Sequence, residues 1–318
     1  MASEMLLEII IAVIIIVIAA YVVLCYFLSR TILYLDRQPV PKNPKDYGMD
    51  YEPANFKSED GVDIKGWLIP GPGNKTIIMT HVGGLTKYGS TKQFHAFTKL
   101  YDEEIEFLKV ARHLHDHGYG VLMFDFRNHG ESGRSPNGGK TGIGIHEYRD
   151  VVAALDHLKN DERTKDDDLG FVSFCMGADS TIVAMSKRPD SFAKVKCMVA
   201  VQPISMEVFV RTYFAKRFSS VGAELLLPTV IGFVNLQSDV KLHDMSPRDY
   251  VKDIKVPTLY VQTRADQWTQ MSDIQGFYDN TKATKDFLWL EGLNHRFQGY
   301  QYFGDHPEKM LEWLGKWM

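Results

Sequence analysis

The run Leu169-Gly-Phe-Val-Ser-Phe-Cys-Met-Gly-Ala178 is a short apolar stretch of β-formers that breaks at Cys175 and restarts as a helix at Met176. A strand that turns this sharply into a helix lifts the residue at the turn above the sheet. The turn brings the backbones two residues before and two after against neighbouring elements, so both flanks must be small. Centred on Cys175 the flanks are Ser173 and Gly177, and both qualify. Centred on Ser173 they are Phe171 and Cys175, and the register fails. The presented side chain is therefore predicted to be the Cys175 thiol.

Around this turn lies a chain of 318 residues, 45% hydrophobic and 24% charged, which is enough for one large α/β domain with an appendage. A formal net charge of −4 without a large basic block argues against nucleic acid as a partner. The three cysteines, Cys25, Cys175 and Cys197, imply no disulfide framework. His113 and His117 share a helical face, but no third ligand accompanies them, so no metal is expected. No cofactor is expected either.

Residues 9–28 carry no charge, and twenty helical residues span roughly 30 Å, the thickness of a bilayer core. A cleaved signal peptide is the competing reading. It fits poorly, because Glu4 and Glu8 precede the stretch with no Lys or Arg, and no small-residue cleavage site follows. Arg30, Arg37, Lys42 and Lys45 lie on the C-terminal flank, which places that side in the cytosol. The expected organisation is a transmembrane anchor over 1–30, a linker over 31–54 leading away from the membrane, and a domain over 55–318. The lipid bilayer is thus one expected partner, through residues 9–28.

Within the domain, strands are predicted over 62–69, 75–80, 119–126, 169–174, 195–201, 256–263 and 285–290, where near-continuous apolar runs suit a sheet covered on both faces. Helices are predicted over most of 89–118, then over 145–160, 176–187, 271–280 and 307–317. Residues of about 203–250 read as a helical cap insertion interrupting this alternation. The pattern predicts an α/β fold, a doubly wound, mostly parallel sheet.

In such a sheet the reactive groups gather on loops beyond the carboxyl ends of the strands. Cys175, Asp266 and His295 each follow a predicted strand in that way. They are expected to act as nucleophile, orienting acid and base, with the thiol activated by the imidazolium and a helix N-terminus. The oxyanion hole is expected from the N–H groups of Met176 and Gly83, the latter in the tight loop His81-Val-Gly-Gly84. Val82 and Trp268 are expected to line the substrate pocket.

The order nucleophile, acid, base from about residue 55 onward resembles the α/β-hydrolase superfamily. The segment Asp125-Phe-Arg-Asn-His-Gly-Glu-Ser132 is similar to the D-x-R-G-H-G-x-S segment of its monoacylglycerol-lipase-like and membrane-anchored esterase members, with Asn128 in place of Gly. That likeness implies a structural role for Asp125, Arg127 and His129. A cysteine at the turn resembles the dienelactone hydrolases and the bile-acid-CoA:amino-acid acyltransferases, although Ser173 stands where they usually have Gly. The resemblance implies cleavage of a carboxylic ester, thioester or lactone of a small-molecule acyl substrate through an acyl-enzyme. Acyl-CoA-dependent transfer to another acceptor and a non-catalytic binding protein of the same fold remain the alternatives.

Overall fold

The computed structural model describes residues 2–94, Lys99 and residues 101–318. A 32-residue helix α1 (Ala2–Leu33) leads into an edge strand β1 (Glu52–Lys57) that pairs antiparallel with β2 (Asp63–Ile69). There follow β3 (Lys75–Thr80), the two-residue strands β4 (Gly89–Ser90) and β5 (Ile105–Glu106), helix α2 (Phe107–Asp116) and β6 (Gly120–Asp125). Helix α3 (Tyr148–Asn160), β7 (Asp168–Phe174), α4 (Met176–Lys187) and β8 (Val195–Val201) form the centre. The long helix α5 (Met206–Gln237), β9 (Thr258–Thr263), α6 (Met271–Asn280), β10 (Lys285–Leu290), α7 (Arg296–Asp305) and α8 (Glu308–Trp317) complete the chain.

Eight strands form one sheet in the order β1-β2-β6-β3-β7-β8-β9-β10, and every pair from β6 onward is parallel. Strands β6 and β9 are buried at every position, as the unbroken apolar runs require once helices cover both faces. The edge strand β10 is half-exposed. This is the doubly wound, mostly parallel sheet that the sequence predicts. β7 sits at its centre, so the turn at Cys175 emerges above the middle of the sheet.

Three expectations are corrected. Among the described residues of 89–118 only Lys99 and α2 are helical, and the helix expected over 95–98 and 100 lies outside the described residues; the chain makes the β4–β5 ribbon before α2, where Gly89 at φ 117° is pressed against Ile105, whose carbonyl oxygen lies 1.8 Å from where a Cβ would stand. The helix α7, unforeseen in the sequence, follows His295 directly. The linker over 31–54 does not stand off from the domain. It packs on it: α1 runs on to Leu33, whose carbonyl accepts from Thr141 N at 2.9 Å, and the short helical turn Pro44–Tyr47 ties down through a Tyr47–Glu106 hydrogen bond.

α1 and α5 are the two helices, among the described residues, long and apolar enough to cross a membrane. Residues 3–20 of α1 are exposed on every face, while Cys25, Ile32 and Leu33 are buried. α5 is interrupted at Ser219, whose φ of 62° and ψ of 167° break the helix into two rods. The second rod runs beside α1, with Tyr21 Oη bonded to the Leu225 carbonyl at 2.8 Å and paired with Thr229 Oγ1 at 2.7 Å, and with Gln237 Nε2 donating to Ser29 Oγ at 2.8 Å.

Candidate active site

Cys175 holds a positive φ of 51° with ψ −118°, a conformation that a residue with a Cβ adopts only when its surroundings force it. The forcing contacts are identifiable. The Cys175 N–H donates to the Val201 carbonyl at 2.8 Å, fastening the turn to β8. The Gly177 N–H donates to the His81 carbonyl at 3.1 Å, drawing the start of α4 onto the loop after β3. A Cβ on Gly177 would stand 2.5 Å from Thr80 Oγ1, so the close approach requires glycine there. Ser173 points beneath the helix, pairing with Thr181 Oγ1 at 3.1 Å, and is fully buried.

The loop after β3 is set by two histidines. His81 Nε2 accepts from the Phe126 N–H at 3.0 Å, and its Nδ1 faces the Val82 carbonyl at 2.8 Å. His129 Nε2 accepts from the Gly84 N–H at 2.9 Å, and its Nδ1 faces the Arg127 carbonyl at 2.8 Å. Each ring is thereby a neutral imidazole with the proton on Nδ1. Burial, with His129 adding to it, pushes His81 down to about 3. With Gly84 N–H committed to His129, the loop presents Gly83 toward Met176, whose Sδ lies 3.3 Å from the Gly83 Cβ position. Met176 N–H opens α4, in the turn where a helix has no internal partner for it. Gly83 and Met176 thus stand side by side, in the same cavity lining as Cys175.

Asp125, Arg127 and His129 hold the scaffold. Asp125 Oδ2 binds the buried Lys87 Nζ at 2.6 Å, and Arg127 bridges Asp150 and Asp60.

The acid and base are arranged differently from the expectation. Asp266 accepts from Gln262 Nε2 at 2.6 Å, Trp268 N at 2.9 Å and Thr269 Oγ1 at 2.8 Å, and forms an ion pair with Arg296. Burial opposes ionisation, but the Arg296 guanidinium and these bonds outweigh it and hold Asp266 below the usual carboxylate range. His295 does not reach Asp266. Its ring stacks on Tyr101 at 4.2 Å, Nε2 stands 3.5 Å from Glu103 Oε1, and Nδ1 is buried without a hydrogen-bond partner among the described residues. The reason is local: His295 is extended, at φ −162°, and Arg296 is the first residue of α7, so the two neighbours project to different sides.

Arg296 fills the position between acid and thiol. It also donates to the Gln202 carbonyl and the Tyr300 hydroxyl, and Gln202 Nε2 returns a bond to the Arg296 carbonyl at 2.9 Å. Neither Arg296 nor Tyr300 was singled out in the sequence; adjacency to His295 is the one cue available. The expected lowering of the thiol pKa is corrected too: burial pushes Cys175 up, and Arg296 offsets this only in part.

Cys175, Arg296 and Tyr300 line a cavity of about 530 Å³, within the roughly 300–1,000 Å³ of small-molecule sites. Val82, Gly83 and Met176 line it as well. Trp268 does not: it is buried behind Phe209 and Tyr213, which stack on it at 5.5 and 5.0 Å and themselves face the cavity.

A family profile described as alpha/beta hydrolase fold matches residues 94–295. An uncharacterized protein of Bacillus subtilis, YqkD, is 24% identical over 236 residues, 74% of this chain and 70% of that protein. Among solved structures, an esterase of Pyrococcus furiosus superposes with a TM-score of 0.68 at 25% identity, covering 90% of this chain and 98% of its own. An esterase from Exiguobacterium antarcticum has the same fold, with a TM-score of 0.53 at 18% identity over 83% of this chain and 98% of its own.

Proposed function

Because this chain belongs to the alpha/beta hydrolase fold family, we propose that it hydrolyses carboxylic esters, thioesters or lactones of apolar acyl groups, with Cys175 as nucleophile, from a bilayer anchor at residues 9–28. The observation that carries the proposal is the position of Cys175: strained, above the central strand, and in the lining of an apolar cavity together with Met176 and Gly83. The likeness to the Pyrococcus furiosus esterase supports an ester as substrate.

In the proposed cycle His295 takes the proton of the Cys175 thiol as the sulfur attacks the acyl carbonyl, and the oxyanion is held by the Met176 and Gly83 N–H groups. Collapse expels the alcohol or thiol, which takes a proton from His295, leaving the acyl group as a thioester on Cys175. His295 then removes a proton from water, which attacks that thioester and releases the acid and the thiol. The cycle requires His295 to take the place that Arg296 holds at Asp266 in the structure.

The Arg296–Asp266 pair favours a second reading, a binding protein of this fold without turnover. A panel of p-nitrophenyl esters and acyl thioesters, with and without an amine acceptor, separates the two on wild type and Cys175→Ala. The proposal expects turnover in wild type and its loss in the variant. Full turnover in Cys175→Ala removes Cys175 as nucleophile, and none in wild type leaves the binding reading.

A further inference from the structure

The cavity has an unusual wall. One side is the membrane-proximal helix itself: Leu28, Ile32 and Leu35 of α1 and the segment after it face the interior. The α5 helix of the cap also lines it, through Phe209, Phe214 and Phe218. An aqueous substrate needs no contact with the anchor.

Upstream of the cavity the same α1 is apolar and bare, with Ile15, Ile16 and Val17 each more than 60% exposed. α5 continues that surface through Val221 and Leu225, exposed at 68% and 67%. The seam between the helices is compatible with hydrocarbon, because its polar groups satisfy one another. Tyr21 and Thr229 pair their hydroxyls, Tyr21 also binds the Leu225 carbonyl beside Pro228, and Ser29 takes Gln237. Arg217 lies at the cavity wall with its guanidinium 5.6 Å from the Phe218 ring, a place for the polar end of an amphiphile.

We infer that the cavity takes the acyl chain of a membrane lipid, admitted sideways from the bilayer between α1 and α5. This rests on the proposed anchor and on the cavity's being the acyl site of Cys175. The substrate class narrows accordingly to long-chain acyl amphiphiles resident in the bilayer.

The test uses the full chain reconstituted in phosphatidylcholine vesicles containing a phosphatidylcholine with a diazirine in one acyl chain. After irradiation, labelled peptides are mapped by mass spectrometry. Adducts are expected on residues 9–20 and also on cavity residues such as Phe214, Phe218 and Ile32. Leu28→Trp, which puts a larger side chain into the lining contributed by α1, is expected to cut cavity adducts several-fold while those on 9–20 persist, which certifies that the variant is inserted.

Adducts on 9–20 alone in wild type overturn the inference and leave the anchor standing. Adducts on neither region overturn the anchor, and the inference with it. Cavity adducts in a protein that turns over none of the ester panel uphold the lipid site and remove the hydrolase reading.

Discussion

Arg296 is a fully buried cation tied to Asp266, the Gln202 carbonyl and Tyr300, and its removal strands a carboxylate in the interior. Arg296→Met is expected to cost about 3–5 kcal/mol in thermal or denaturant unfolding, the scale of breaking a buried pair at one partner. Cys175 is the second residue with a measurable signature. Its pKa is raised by burial, so the thiol is protonated at neutral pH, and iodoacetamide labelling is expected to be slow there and to climb about tenfold per pH unit through pH 8.5 without levelling off. A plateau below pH 8 contradicts this. His81 sets a third expectation. Its folded pKa of about 3 lies below the ordinary value of about 6.5, so between the two the unfolded chain binds the extra proton. Stability is therefore full above pH 6.5 and falls as pH drops toward 3. The melting temperature is expected to fall from pH 7 to pH 5, and less steeply in His81→Asn.

At the scale of elements, the strand–turn–helix around Cys175 is held by β8 and by the loop after β3, and Gly177 is its tightest point. Gly177→Ala puts a methyl group 2.5 Å from Thr80 Oγ1 and 2.8 Å from the Thr80 carbonyl carbon. The expected cost is about 1–3 kcal/mol in stability, with a loss of turnover greater than that cost explains, since the Met176 N–H moves with the helix. This element was legible because its requirements are local: apolar strand, small flanks, helix former. The Asp266–His295 contact was not. Order along the chain places an acid and a base after successive strands, but which of two consecutive side chains faces inward depends on where α7 begins, and that is settled by packing of Phe297 and Tyr300 into the core. The β4–β5 ribbon escaped for a similar reason, being two residues long and made by a distant pairing.

For the molecule as a whole, α1 is both the proposed anchor and part of the cavity lining, so the proposed membrane attachment and the cavity share one helix. From the charges flanking residues 9–28 we propose that the domain lies on the cytosolic side. In sealed right-side-out vesicles the domain is expected to resist added protease until the membrane is permeabilised; digestion in intact vesicles reverses that topology.

Alternation of apolar strands with helices determined the doubly wound sheet, and side-chain size around one turn determined which residue stands above it, because both depend on neighbours close in sequence. Only the tertiary structure decided that Arg296 rather than His295 holds Asp266, that burial raises the Cys175 thiol pKa, and that α1 and the segment after it line the cavity. Those outcomes come from desolvation and from contacts between segments far apart in the chain. The thiol above β7 was readable from ten residues; what surrounds it took the whole fold.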